Sequence, residues 1–157
     1  MNWARRVFLQ VGLGLAGARA QQRAEPGCKV FTVGEARAVE AITEQIIPAD
    51  DFPGAKEAGV LYYIDGSLAG ELRRFRKVYI EGLRLMDKMS RAAHGRLFAQ
   101  LGWDEQTALL RKLEADRGKG GEFFGLIRQH TMEGYYGDPK YGGNRDRVSW
   151  KMIGFRG

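Results

Sequence analysis

The sequence predicts an all-α domain of about five helices, followed by an extended C-terminal tail rich in aromatic residues and glycine. Apolar residues recur at intervals of three and four along most of the chain, which is the spacing of one helix face. No segment shows the sustained alternation of a half-buried β-strand. The 157 residues are enough for one domain with a proper hydrophobic core. We therefore expect a single helical domain without internal repeats.

The first two predicted helices lie on either side of a turn. Thr32-x-x-Glu35 is a capping-box pattern that begins the first helix, and Pro48 ends it. Residues 49–54 are rich in turn formers, and the second helix is predicted from about Lys56.

The third predicted helix, Glu71 to Met89, has the most regular pattern. A short helical piece follows, and Asp104 is predicted to cap the next helix. The glycine-rich residues 118–121 predict a break, after which the last helix begins near Glu122 and ends at Gly134. The apolar positions that define the helices are Val39, Ile42, Ile46, Val60, Leu61, Ile64, Leu68, Leu72, Phe75, Val78, Tyr79, Leu83, Met86, Leu109, Leu110, Leu113, Phe123 and Ile127.

The tail, residues 134–157, has neither a helical nor a strand period. Tyrosine and tryptophan combine a large apolar area with a polar group, and glycine leaves the backbone adaptable. Such a segment needs a surface to lie on, either a partner or its own helices. We expect a partner interface and keep the domain's own helices as the alternative. The residues expected in this interface are Tyr135, Tyr136, Pro139, Tyr141, Asn144, Trp150 and Phe155.

The N-terminus resembles a twin-arginine export signal, with a short, weakly apolar stretch after the arginine pair. Ala18 and Ala20 form a small-x-small cleavage site, so we expect residues 1–20 to be a removed signal and residues 21–157 to form the helical domain. The apolar stretch is far shorter than the roughly 20 residues that span a bilayer, so we expect no membrane span. The residues that match the export signal are Arg5, Arg6, Phe8 and Leu9.

The run Gly12–Gly17 also satisfies the G-x-G-x-x-G fingerprint of dinucleotide-binding proteins. That fingerprint needs a helix that begins at the glycines, whereas the residues that follow are polar and are soon interrupted by Pro26. An independent oxidoreductase that uses a nicotinamide or flavin would rest on this run alone. We therefore interpret the run as the glycine-rich core of the signal.

The net charge of +6 does not indicate a nucleic-acid partner. Residues 1–20 hold three of the 25 basic residues and none of the 19 acidic ones, so the remainder carries only +3. The remainder has no Lys/Arg-rich run and no nucleic-acid-binding motif. An ordinary protein surface of mixed charge is expected.

Side chains suited to catalysis or metal binding are sparse. His94 has no acid or second histidine at ligand spacing, which favours a surface or loop position. His130 lies on an apolar helix face, which favours a packing role. Asp50 and Asp51 are adjacent, so their carboxylates point apart and form no acid–base dyad. Haem and iron–sulfur motifs are missing from the sequence. We therefore expect no catalytic, cofactor-binding or metal-binding residues in this chain.

Cys28 is the only cysteine of the sequence, so it cannot form a disulfide within the chain. An inert thiol near a mobile N-terminus is the simpler interpretation. A disulfide to a partner subunit stays open as the alternative.

Two long blocks of the chain resemble the gluconate 2-dehydrogenase subunit 3 family. The first runs from Ile46 to Val60, and the second from Ile127 to Asn144 with a continuation over Trp150–Gly154. Together the blocks bracket nearly all of the domain. The family pattern usually ends in Gly-Tyr-Pro-Gly, whereas this chain ends in Gly-Phe-Arg-Gly over residues 154–157.

The resemblance implies a non-catalytic small subunit of a periplasmic FAD-dependent sugar or polyol dehydrogenase complex. The FAD would lie in the large subunit, which would be the main partner, with a membrane-bound cytochrome c subunit as a further one. The small subunit would carry the export signal for the large subunit and stabilise its native form. The complex would associate with the membrane only through the partner subunits. A free-standing periplasmic helical binding or chaperone-like protein is the alternative.

Overall fold

Six α-helices form most of the structure, a computed structural model that describes residues 25–156. They are α1 (Val33–Ile46), α2 (Val60–Ala69), α3 (Arg76–His94), α4 (Trp103–Ala115), α5 (Lys119–Tyr136) and α6 (Val148–Met152). Over this range the chain forms no β-strand, and the predicted all-α class is confirmed. The predicted export and cleavage residues, Arg5, Arg6, Phe8, Leu9, Ala18 and Ala20, lie outside the described residues, as does the run Gly12–Gly17.

Helix α5 is the central element of the packing, since it contacts each of the other five helices. Its closest approach is to α3, where Gly82 faces the ring of Phe123 and a Cβ atom at position 82 would overlap that ring. Most of the predicted core positions are buried; Ile46, Leu72, Phe75 and Val78 are only partly buried at the edge of the core. None of the helices described is both long enough and apolar enough to cross a membrane.

Helix α1 begins and ends as its sequence predicts. The Thr32 hydroxyl accepts a hydrogen bond from the Glu35 amide at 3.4 Å, and the Glu35 carboxylate accepts one from the Thr32 amide at 3.0 Å. This reciprocal capping box satisfies two of the amides that a helix N-terminus leaves without partners. The helix ends at Ile46, two residues before Pro48.

Three predicted helix starts are wrong by a few residues, each for a local reason. Helix α2 begins at Val60 rather than Lys56, because Gly59 precedes it in the left-handed conformation at φ 72°. Helix α3 begins at Arg76, after the 3₁₀ turn Arg73–Phe75. Helix α4 begins at Trp103, so the predicted cap, Asp104, lies within the first turn of the helix. The capping carboxylate is that of Glu105, which accepts from the Gly102 amide at 2.9 Å.

Helix α5 is longer at both ends than the glycines of its sequence predict. It begins at Lys119, inside the predicted break, where the Asp116 carboxylate accepts from the Gly120 amide at 2.8 Å. It continues past the predicted end at Gly134, whose Cα packs against the ring of Tyr63. Glycine disfavours a helix by about 1 kcal/mol relative to alanine, and the tertiary contact outweighs this preference.

A buried carboxylate attaches the segment before α1 to helix α2. Asp65 is only 2 % exposed, and it accepts hydrogen bonds from three consecutive amides, Lys29 at 2.6 Å, Val30 at 2.9 Å and Phe31 at 3.0 Å. These bonds compensate for the cost of burying the carboxylate. They also hold the Phe31 ring in the core beside Tyr79, with ring centroids 6.1 Å apart.

We expect Asp65→Asn to lower the free energy of unfolding by about 1.5–3 kcal/mol, because a neutral amide accepts less strongly from the three amides and brings a donor that they cannot satisfy. Urea denaturation at neutral pH measures the change. Asp51→Asn, at an exposed loop position, is the matched control and should stay within about 0.5 kcal/mol of the wild type. Equal stability of the Asp65 and Asp51 variants would contradict the anchoring role.

Candidate partner-binding surface

The C-terminal segment, residues 137–156, folds back onto the helical domain. It contains two 3₁₀ turns, Pro139–Tyr141 and Arg145–Arg147, followed by α6. Gly143 passes directly over α5, where a Cβ atom at position 143 would overlap the carbonyl oxygen of Gly134. The predicted extended form of this segment is therefore corrected to a folded one. The glycines allow the backbone to follow a surface, as expected. Part of that surface is helix α5 of the same chain.

Asn144 is the internal brace of the C-terminal segment. Its side chain is fully buried, its amide nitrogen donates to the Gly137 carbonyl at 2.9 Å, and its amide oxygen accepts from the Ser149 amide at 3.1 Å and hydroxyl at 2.9 Å. The side chain thus joins the start of the segment to α6. This buried side chain braces the chain itself, and a partner role for Asn144 stays a prediction.

The turn around Asn144 has an unusual backbone. Asn144, Asp146 and Arg147 have φ values of 45°, 57° and 56°, a region that side chains other than glycine rarely adopt. Asn144's hydrogen bonds hold the turn from one side, and the Arg145 amide holds it from the other by donating to the Ala58 carbonyl at 2.9 Å. Conformations of this kind persist where the surrounding structure enforces them.

Tyr135 also has an internal role. Its side chain is 2 % exposed, and its hydroxyl donates to the Pro53 carbonyl at 2.6 Å, which attaches the end of α5 to the loop between α1 and α2. Burial raises the pKa of the Tyr135 hydroxyl, so the group stays protonated and donates this bond. The Tyr135 ring lies in the core of the domain, and its partner contact stays a prediction.

Trp150 contacts two residues with exposed aromatic side chains, the backbone carbonyl of Tyr136 at the end of α5 and the ring of Phe155. The Trp150 indole donates from Nε1 to the Tyr136 carbonyl at 3.0 Å, and the Phe155 ring meets the indole edge-on with centroids 4.9 Å apart. Tyr136 is 40 % and Phe155 55 % exposed, while Trp150 is half-buried. We call Tyr136, Trp150 and Phe155 the aromatic face. Elsewhere in the segment Pro139 is half-buried and Tyr141 is 61 % exposed. A partner role for these five residues stays a prediction.

Two further exposed apolar side chains, Met132 and Phe52, were not predicted. Met132 lies one helical turn before Tyr136 in α5. Phe52 lies in the loop between α1 and α2. It directly precedes Pro53, whose carbonyl accepts the hydrogen bond from the Tyr135 hydroxyl. Met132 had no sequence signal beyond its place on a helix, whereas Phe52 lies in a predicted turn, where a large apolar side chain has little local packing.

The two histidines have partners typical of packing residues. His130 is buried, its Nδ1 lies 2.8 Å from the Tyr79 hydroxyl, and the two rings are parallel with centroids 5.8 Å apart. Burial holds the pKa of His130 below its usual range, which favours the neutral imidazole. His94 Nδ1 lies 3.3 Å from the Glu105 carboxylate. Residues 25–156 contain no group of three or more His, Cys, Asp or Glu side chains able to hold a metal ion.

The other candidate groups, Asp50 and Cys28, have partners in the N-terminal half of the chain. Asp50 is a turn former, since its carboxylate accepts from the Phe52 amide at 2.9 Å. Cys28 is a half-buried free thiol beside Asp65, and burial together with that carboxylate raises its pKa to about 12. Because the thiolate is the reactive form, this environment makes the thiol slow to react. A disulfide from Cys28 to a partner subunit stays a prediction.

We expect Asn144→Ala to loosen the C-terminal segment, because it leaves the Gly137 carbonyl and Ser149 groups without their partner. Lost hydrogen bonds of this kind cost about 1–3 kcal/mol, which corresponds to roughly 5- to 150-fold more frequent opening. Trypsin cleavage after Arg147, followed by mass spectrometry, measures the opening. Tyr141→Ala, at an exposed position, should leave the cleavage rate unchanged, and unaltered cleavage of Asn144→Ala would contradict the bracing role.

Comparison with known proteins agrees with the resemblance of the two sequence blocks. Residues 34–157 match the family model for gluconate 2-dehydrogenase subunit 3, which covers every helix described here. No curated protein and no solved structure shows a significant match to the chain. The matched region includes the Asn144 brace and the aromatic face. Because the model spans well over half of the sequence, this chain belongs to the gluconate 2-dehydrogenase subunit 3 family.

Proposed function

We propose that this chain is a non-catalytic accessory subunit of a periplasmic FAD-dependent sugar or polyol dehydrogenase complex. It would bind the large subunit, which carries the FAD, and would support its export and stability. A membrane-bound cytochrome c subunit would be a further partner, and the complex would be membrane-associated through the partner subunits. The observation that carries the proposal is membership of a family named as a dehydrogenase subunit, over residues 34–157.

The aromatic face supports a role in protein binding. Tryptophan and tyrosine are enriched among the residues that contribute most to binding free energy in interfaces. Trp150 is already held in place by the Tyr136 carbonyl and the Phe155 ring. A face ordered before binding loses less conformational entropy when a partner docks. Binding only the native large subunit would stabilise that subunit by mass action.

The alternative is a free-standing periplasmic helical protein that binds several partners weakly. The same exposed aromatic side chains suit such a role. Stoichiometry separates the two functions, because an accessory subunit forms a stable one-to-one complex with a single flavoprotein.

We expect Tyr136→Ala and Phe155→Ala each to weaken binding of the large subunit by about 1–4 kcal/mol, the range found for interface anchors. The large subunit, co-expressed with this chain, would be purified with it, and the dissociation constants would be measured by titration. Trp103→Ala is the matched control, because the Trp103 side chain is 51 % exposed and lies at the start of α4. The hydrogen bonds that Trp103 accepts from Gln45 and Thr107 go to its backbone carbonyl, which the substitution keeps. Failure of the wild-type chain to form a stoichiometric complex would refute the accessory-subunit function.

Export of the complex is expected to depend on the arginine pair in the leader sequence. Replacing Arg5 and Arg6 with lysine should retain both this chain and the large subunit in the cytoplasm, because the two would cross the membrane as one folded unit. Cell fractionation with immunoblots against both subunits measures this. Periplasmic large subunit beside a cytoplasmic small subunit would show that the large subunit does not depend on this leader.

A further inference from the structure

We infer that the aromatic face docks against an apolar patch of the large subunit that is bordered by aspartate and glutamate side chains. The inference rests on the proposed function and names the chemistry of the partner surface. It follows from the distribution of charge along the chain and from the position of cations beside aromatic rings.

The net positive charge of the described chain lies in its C-terminal segment, because basic and acidic residues nearly balance elsewhere. Residues 137–156 hold five basic and two acidic residues, whereas residues 25–136 hold sixteen basic and seventeen acidic ones. The helical body is therefore almost neutral, and the segment that carries the aromatic face has a net charge of +3. An interface with complementary charge would be acidic, since like charges brought together at an interface cost several kcal/mol.

The cations of this segment lie against aromatic rings. The Arg147 guanidinium carbon is 5.8 Å from the centroid of the Trp150 ring, and the Arg145 carbon is 5.4 Å from that of Tyr62. The Lys140 ammonium is 4.9 Å from the centroid of the Tyr141 ring. Rings that carry cations on their faces offer a partner apolar contact and positive charge at the same place.

Most of these cations have no carboxylate partner within the chain. Lys140 forms an ion pair with Asp138 at 3.0 Å. Over the part of the chain that the structure describes, Arg145, Arg147, Lys151 and Arg156 form no ion pair with an acidic side chain. Exposed guanidinium groups can bind carboxylates through two parallel hydrogen bonds. The segment thus presents arginines that have no ion pair within the described chain, and one of them, Arg147, lies over the Trp150 ring of the aromatic face.

A protein surface suits this face better than an anionic lipid surface. Insertion into a bilayer interface buries an apolar face of the protein at the boundary between headgroups and acyl chains. The Trp150 indole is held by its hydrogen bond to the Tyr136 carbonyl and by the Phe155 ring. The Arg147 backbone lies in a turn that Asn144 braces from within. This fixed geometry favours a partner with carboxylates at fixed positions.

The test is charge reversal within the intact complex. The variant Arg147→Glu/Lys151→Glu/Arg156→Glu would be titrated against the purified large subunit at low and high ionic strength. We expect at least a 100-fold increase in Kd at low salt. We also expect the wild-type affinity to fall as salt rises, and the variant to lose most of this dependence. The matched control is Lys88→Glu/Arg111→Glu/Lys112→Glu, which reverses three exposed cations of α3 and α4 and should bind within threefold of the wild type.

The outcomes separate the inference from the proposed function. A wild-type complex whose affinity is unaffected by charge reversal would overturn the acidic partner surface and leave the accessory-subunit function standing. Absence of any wild-type complex would overturn both. Binding of the wild-type chain to phosphatidylglycerol vesicles, lost on charge reversal while the complex is unaffected, would assign the face to the membrane instead. If circular dichroism shows that the triple variant is unfolded, the single variants Lys151→Glu and Arg156→Glu are titrated in its place. Each is expected to raise the Kd for the large subunit about fivefold.

Discussion

The backbone contact between Gly134 and Gly143 is the constraint on which the exposed surface of this protein depends. A side chain at position 143 would collide with the carbonyl oxygen of residue 134, so the C-terminal segment could not pass so closely over α5. Once the segment lies there, Asn144 can reach both the Gly137 carbonyl and the two polar groups of Ser149. The position of α6, and with it Trp150, follows from this contact.

The same contact allows the C-terminal segment to expose aromatic residues and still be ordered. Exposed aromatic residues on a disordered tail would have to be ordered when a partner binds, at a cost in conformational entropy. Here the glycines allow close backbone packing, and the buried Asn144 keeps the segment ordered. At the left-handed residues Asp146 and Arg147 the chain turns, and the Arg147 guanidinium lies over the Trp150 ring.

The buried polar groups of the domain join segments that are distant in sequence. Asp65 of α2 binds the amides of residues 29–31, and Tyr135 of α5 binds the carbonyl of Pro53. Sequence analysis placed Tyr135 in a partner interface and assigned no role to Asp65. Neither role was predictable, because the amide or carbonyl that each side chain meets lies more than thirty residues away. Such contacts depend on the arrangement of the helices in space.

Local sequence patterns were sufficient to predict the helical class, the capping box of α1, most of the core positions and the family. All of these depend on local spacing or on long contiguous motifs, which are present in the chain before it folds. Tertiary structure alone decided where α5 begins and ends, because packing against Tyr63 and the bond from Asp116 outweigh the helix-breaking tendency of glycine. It also decided which tail residues are available to a partner. Tyr135 and Tyr136 are neighbours of the same type, yet the direction of each side chain from α5 places one ring in the core and leaves the other on the surface.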